Sequence, residues 1–402
     1  MNPTLLIHGI RRLYTADPAL SGVGMHEHTS VLVCGNQVQW IGPAKDAPKA
    51  DSILDADGLV GVPGLVDPHT HAVWAGSRAD EFARRLAGEH YADILEAGGG
   101  ILSTVAATRQ ATLASLRHNV TKRLAHMRKR GVTLVEVKSG YGLDPETELR
   151  MLTAATPHGS GPRVVRTFLG GHTIPAEFRN DRDSYVRQII EEQIPLCAPH
   201  AEFVDVYCDR GAFTLEEALT ILQAGKAHGL QIRAHAEQVS HTGIAEAAAK
   251  LGATALDHLE RIDDAGITAM AESGAVAVLL PGAQLYLRDD PPPVAALRDA
   301  GVPMAVGTDL NPGSSPVHDL WTAATLATIT QGLTMDEAFL GITRNAARAL
   351  GQPKSGWIGL DSHADIALFA PPPGEPATIE SLLQHMGRPH AEAVIQSGER
   401  VH

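Results

Sequence analysis

Val66-Asp67-Pro68-His69-Thr70-His71 ends an apolar run that starts at Leu65 and predicts a strand. Two histidines two residues apart on a strand point to the same side of it. If that side is the inside of a barrel, both imidazoles converge on one point, where they can hold a metal. The pair alone says little, because the chain carries 20 histidines among 402 residues. Its meaning comes from what surrounds it.

Upstream, residues 1–62 read as short strands. Thr29–Val33 and Gln37–Ile41 are β-rich runs joined by Cys34-Gly35-Asn36, a hairpin signal. Pro63-Gly64 breaks the pattern. Downstream, from 63 to about 355, apolar β-type runs alternate with Ala- and Leu-rich helical runs. The predicted strands are Leu65–His71, Val132–Lys138, Val164–Leu169, Phe203–Tyr207, Gln231–His235, Ala255–His258, Ala275–Leu280 and Met304–Gly307. Leu102–Arg130 is the longest predicted helix, and Thr214-Leu-Glu-Glu217 has the shape of a capping box. Eight strands, each trailed by a helix, predict a parallel (β/α)8 TIM barrel, with a doubly wound open sheet as the alternative. From 356 to 402 β character returns, at Ala364–Phe369 and Ala393–Ile395. The two chain ends are therefore expected to pair in one small β-sandwich beside the barrel.

Composition narrows the function. A net charge of −13 argues against a general nucleic-acid binder and against attachment to anionic membranes. The sequence shows no basic-then-apolar leader, no run long enough for a membrane span and no dinucleotide or P-loop glycine motif. Cys34, Cys197 and Cys208 fit free thiols in a reducing cytoplasm.

In a (β/α)8 barrel the active site lies at the carboxyl ends of the strands. The residues with catalytic potential collect at those ends: His69 and His71, Gly170-Gly171-His172, His235-Ala236-Glu237-Gln238, Asp257-His258 and Thr308-Asp309. Three imidazoles and a carboxylate suit zinc or iron. His69, His71, His235 and Asp309 are the expected ligands. The metal would lower the pKa of a bound water to about 7, with His258 near that water or the developing oxyanion.

This pattern resembles the amidohydrolase superfamily. Longer strings are similar to its imidazolonepropionase family: His69-Thr-His71-Ala-Val-Trp-Ala-Gly-Ser-Arg78, Ala97-Gly-Gly-Gly-Ile101, Glu136-Val-Lys-Ser-Gly-Tyr-Gly-Leu143, His235-Ala-Glu-Gln238 and Thr308-Asp-Leu-Asn-Pro-Gly-Ser-Ser315. The resemblance implies a hydrolase of a cyclic amide C–N bond, converting 4-imidazolone-5-propanoate to N-formimidoyl-L-glutamate in histidine degradation. It implies one Zn2+ or iron ion per subunit, and a homodimer. It also implies that Arg78 holds the propanoate carboxylate and that Tyr141 and His172 contact ring or carboxylate. Asn311, Gly313 and Ser314 would contact the substrate from the last loop. Some family members place a glutamate three positions after the fifth-strand histidine; here that position is Gln238. Gln238 is therefore expected to orient the substrate, with proton transfer by Asp309, His258 or Glu237. By strand alternation Glu237 would share a face with His235. Lys138 lies on the second strand rather than the fourth, which favours a single metal over a carbamate-bridged pair. The rival within the superfamily is a heterocycle deaminase, which would need no propanoate-binding arginine.

Overall fold

The computed structural model describes residues 3–89, 99–156, 161–387 and 390–402. Ala97 and Gly98 of the glycine run lie outside the described residues.

The chain begins with five strands, β1 (Thr4–Tyr14), β2 (Met25–Cys34), β3 (Gln37–Pro43), β4 (Ser52–Asp55) and β5 (Val60–Pro63). The barrel strands follow: β6 (Leu65–Asp67), β7 (Val132–Lys138), β8 (Arg163–Gly171), β9 (Phe203–Cys208), β10 (Gln231–Ala236), β11 (Ala255–His258), β12 (Val276–Leu279) and β13 (Met304–Val306). β14 (Ile366–Phe369), β15 (Ala393–Gln396) and β16 (Glu399–Arg400) close the chain.

The end strands make one sheet ordered β16-β15-β14-β5-β1-β2-β3, with β4 also on β1. β14 pairs antiparallel with β5, so the C-terminal segment completes what the N-terminal segment begins. The sheet curls over its own core, which includes Ile7, Ile10, Val31, Ile366 and Ile395. The hairpin turns where Gly35 takes φ +56°, with Cys34 opposite Gln37.

β6 to β13 pair in sequence order, all parallel. Their continuous apolar character follows from burial on both faces: all seven residues of β7 are buried. The first and last strands meet by a bridge between Thr70 and Leu310. There the Asp67 carboxylate accepts from Thr308 N at 3.1 Å and Thr308 Oγ1 at 2.6 Å, so a side chain helps join the barrel's edges.

Two boundaries differ from the sequence reading. β6 stops at Asp67, because Pro68 has no N–H to give a ladder. The next residues stay extended all the same: Asp309 N donates to His69 O and His71 N to Leu310 O. Both imidazoles therefore keep the same facing. The predicted helix Leu102–Arg130 is two helices, Ile101–Gln110 and Leu113–Lys129, split where the Thr112 side chain caps Ser115 N. The capping box at Thr214 and Glu217 is present with both hydrogen bonds. Among the described residues, no helix is long and apolar enough to cross a membrane.

Candidate active site

The strand ends bring four of the expected residues to one point. His69 Nε2 and His71 Nε2 are 3.3 Å apart, as are His71 Nε2 and His235 Nε2. Asp309 Oδ1 lies 3.4 Å from His69 Nε2 and 3.5 Å from His71 Nε2. Three imidazole nitrogens crowded together make poor mutual hydrogen-bond partners. A cation with bonds of about 2.0–2.1 Å sets tetrahedral ligand atoms about 3.4 Å apart, which matches these spacings. The donor set therefore fits a metal ion. The electrostatics agree. Burial holds His69 and His71 well below the usual histidine pKa, and lowers His235 too, so the rings stay neutral as a metal requires. Burial pushes the Asp309 carboxyl up to about 7.

Beneath this ring lies a layer in which sequence reasoning had singled out Asp257 and Lys138 but gave no role to Asp205, Glu136 and Arg233. His235 Nδ1 is 3.1 Å from Asp205 Oδ1, and His69 Nδ1 is 3.1 Å from Asp257 Oδ2. Asp205 fixes the orientation of the His235 ring by this contact, and Asp257 stands beside the His69 ring, the arrangement that outer partners of metal-binding histidines take. Lys138 Nζ stands between them, 2.7 Å from Asp205, 3.6 Å from Asp257 and 2.8 Å from Glu136. Arg233 completes the layer, 2.8 Å from Asp257 Oδ1. All five side chains are fully buried. Burial pulls the Lys138 pKa down, but Asp205 and Glu136 outweigh it and hold the ammonium above its ordinary value. The Lys138 ammonium is thus ion-paired on two sides, with Asp205 and Glu136. The signal was present in the sequence: charged residues alternate with apolar ones inside runs otherwise built for burial, as in Val135-Glu136-Val137-Lys138 and Val204-Asp205-Val206.

His258 joins the cluster, its ring centroid 5.8 Å from that of His69 and 5.5 Å from that of His235. Burial lowers its pKa, but Glu260 and Asp309 overcome this and raise it. At 3.8 Å from His258 Nδ1, Glu260 acts as a charge and not as a hydrogen-bond partner. His172 stacks on His71 at 5.0 Å and faces Gly140 O through Nδ1 at 2.9 Å. A carbonyl only accepts, so Nδ1 carries the proton and Nε2 is left with its lone pair. Tyr141 lies 5.8 Å from His71 and 5.4 Å from His172 between ring centroids. Burial and Asp309 raise its phenol pKa while Arg78 opposes them, so the hydroxyl feels both the acid and the arginine.

Arg78 is held by Glu81 through Nε and Nη2, each 2.9 Å from Oε2. The other side of its guanidinium packs against Gly313, where a Cβ would fall 2.0 Å from Nη1. Gly313 thus leaves room for the arginine beside the last loop. Asn311 is committed to that loop: its amide donates to Asp309 O and accepts from Gly313 N and Ser314 N. Ser314 Oγ is bonded to the same amide. Gln238 is half-buried in the segment that follows β10.

Glu237 is the residue the structure does not bring to the site. β10 ends at Ala236 and Glu237 takes φ +53°, so strand alternation no longer governs its side chain. Its carboxylate accepts from Thr242 N at 2.6 Å and Ala245 N at 3.2 Å, at the start of the helix Ile244–Leu251. That expectation is corrected: Glu237 secures the loop after β10. Left-handed backbone also occurs at His258 (+79°), Leu259 (+74°) and Asp309 (+50°). Such strain gathers where the surrounding structure over-determines a working geometry.

A model of the amidohydrolase family matches residues 78–402. Imidazolonepropionases of Shewanella sp. strain ANA-3 and Shewanella putrefaciens are 43% and 42% identical to the chain, covering 96% and 97% of it and 97% of each relative. The chain belongs to the imidazolonepropionase family of amidohydrolases. Among solved structures, an adenosine deaminase from Xanthomonas campestris with bound zinc superposes with a TM-score of 0.76 at 18% identity, over 98% of this chain and 92% of that one. A zinc complex of atrazine chlorohydrolase from Arthrobacter aurescens gives 0.69 at 18% identity, over 98% and 94%. At these identities the likeness is one of fold, and it extends over both the barrel and the sheet of chain ends.

Proposed function

We propose that this chain is an imidazolonepropionase, opening the ring of 4-imidazolone-5-propanoate with water to give N-formimidoyl-L-glutamate. The observation that carries the reading is the juxtaposition of His69, His71, His235 and Asp309 with Arg78, which packs on the same Asp309–Ser315 loop.

In this reading His69, His71, His235 and Asp309 hold one zinc or iron ion. When bound, the ion supplies a water that ionises near neutral pH and a Lewis acid for the ring carbonyl. Asp205 and Asp257 keep the His235 and His69 rings turned toward it. Arg78 takes the propanoate carboxylate, for which its planar fork is suited. It is also a half-buried cation in a chain of net charge −13. Binding that remote group fixes the carbonyl relative to the attacking water. Tyr141 and His172 line the space between Arg78 and the ligands. The Asp309 carboxyl receives the proton lost by the water and passes it to the ring nitrogen as the C–N bond breaks. His258, its protonated form favoured by Glu260, donates to the carbonyl oxygen as charge builds there. Gln238 orients the ring from the segment that follows β10.

The test is turnover of freshly made imidazolone propanoate before and after chelation. Loss of absorbance from the ring with formation of the formimidoyl product, abolished by chelator and restored by metal, is expected. Ammonia release from aminated heterocycles without turnover of imidazolone propanoate would overturn the reading in favour of a deaminase.

A further inference from the structure

Glu148 is a fully buried carboxylate that no step above uses. It lies in the first turns of the helix Pro145–Ala155, whose cap is Asp144. Its two oxygens look back into the preceding turn. Oε2 accepts from Gly140 N at 2.9 Å; Oε1 accepts from Gly142 N at 2.7 Å and Leu143 N at 2.8 Å. No cation is bonded to it among the described residues. Its partners are backbone N–H groups on both sides of Tyr141.

That turn is not one the chain would choose unaided. Gly140 has φ +105°, and Leu143, a branched residue, sits at φ +56°. Strained residues persist only where their surroundings hold them. Here the holding comes from two sides. Glu148 collects the N–H groups from within. Arg109 meets the carbonyls from outside, with Nε 2.6 Å from Gly142 O and Nη2 3.2 Å from Leu143 O. Even the glycine at 142 is explained by this packing, since a Cβ there would lie 2.9 Å from Glu148 Oε1 and 2.7 Å from Glu148 N. The turn delivers two things to the active site: the Tyr141 ring and Gly140 O, which receives the His172 Nδ1 proton.

We infer that Glu148 is a positioning residue for the substrate pocket, holding the Gly140–Leu143 turn so that Tyr141 and His172 are presented together. The inference rests on the proposed substrate roles of those two residues. It requires an acceptor at both oxygens. Glu148→Gln would put an NH2 group against an N–H, so a change of one atom is expected to release one side of the turn while the volume stays the same. The metal ligands do not depend on it.

The experiment compares the metal-loaded wild-type protein with Glu148→Gln for kcat and KM on imidazolone propanoate, metal content, and deuterium uptake of the 139–144 segment. The expected result is unchanged metal content, faster uptake in that segment, and a KM raised about tenfold with kcat little changed, the scale of one or two lost hydrogen bonds to a charged acceptor. Arg109→Met, on the half-exposed side, releases the carbonyls of the same turn and the ion pairs of Arg109 with Asp144 and Glu177, and leaves the Glu148 side chain itself unchanged. It should shift KM in the same direction by a smaller factor, and it serves if Glu148→Gln does not fold. A variant pair with faster uptake but wild-type KM would overturn the inference, as would loss of metal in parallel with loss of turnover. Failure of the wild-type protein to turn over this substrate would instead sink the proposed function, and the two failures are distinct.

Discussion

The barrel interior holds two polar layers a few ångströms apart, and they are charged by opposite rules. In the upper layer, burial holds His69, His71 and His235 below the usual histidine pKa, although Asp257 and Asp205 stand 3.1 Å behind the His69 and His235 rings. In the lower layer, Lys138, Arg233, Glu136, Asp205 and Asp257 are equally buried, yet each charge has an opposite partner within 2.8 Å. The ammonium of Lys138 stays protonated because of that pairing. The upper layer is a set of neutral donors; the lower layer contains its own cations, Lys138 and Arg233. Buried imidazoles kept neutral leave their lone pairs for a metal, whereas in the lower layer an ammonium fills the gap among the carboxylates.

Breaking the upper layer should have the largest effect. His71→Ala removes a ligand and should cost the protein its metal and its turnover together, as read by elemental analysis and assay. Breaking the link between the layers comes next. Asp205→Asn keeps the shape but weakens the hold on His235, and metal affinity should fall about 10- to 100-fold in a chelator competition. Arg78→Met touches neither layer. It should lower kcat/KM for imidazolone propanoate about tenfold or more with metal content unchanged; equal loss of both would show that Arg78 supports the fold instead. The smallest effect belongs to Glu237→Gln. Its carboxylate caps backbone N–H groups outside both layers, so turnover should stay near that of wild type while stability drops by about 1 kcal/mol in a denaturant titration.

How much of this was legible beforehand depended on what kind of information each residue carries. The barrel could be read because its strands are buried on both faces and so appear as apolar runs between helical ones. The convergence of His69, His71, His235 and Asp309 could be read because strand-end polar residues stand out against those runs. The lower layer was legible only in part, through Asp257 and Lys138. Asp205 and Lys138 sit inside strands β9 and β7, 67 residues apart in sequence with β8 between them, so the local alternation marks each as unusual but does not report which partner it meets. Glu237 was misjudged for the opposite reason: a local pattern, alternation, was extended one residue past the point where the backbone turns left-handed. The break at Ala111-Thr112 belongs to the same class, because a capping threonine in a helical run looks like any other residue until its side chain finds Ser115 N.

The central claim is that the neutral layer holds one metal and the charged layer none. X-ray absorption at the metal edge of the purified protein tests this most directly. The account predicts a first shell with three imidazole nitrogens and oxygen at about 2.0–2.1 Å and no second metal nearby. A metal–metal distance of about 3.5–4 Å, which would require Lys138 to give up its place, or a first shell without imidazoles, would contradict it.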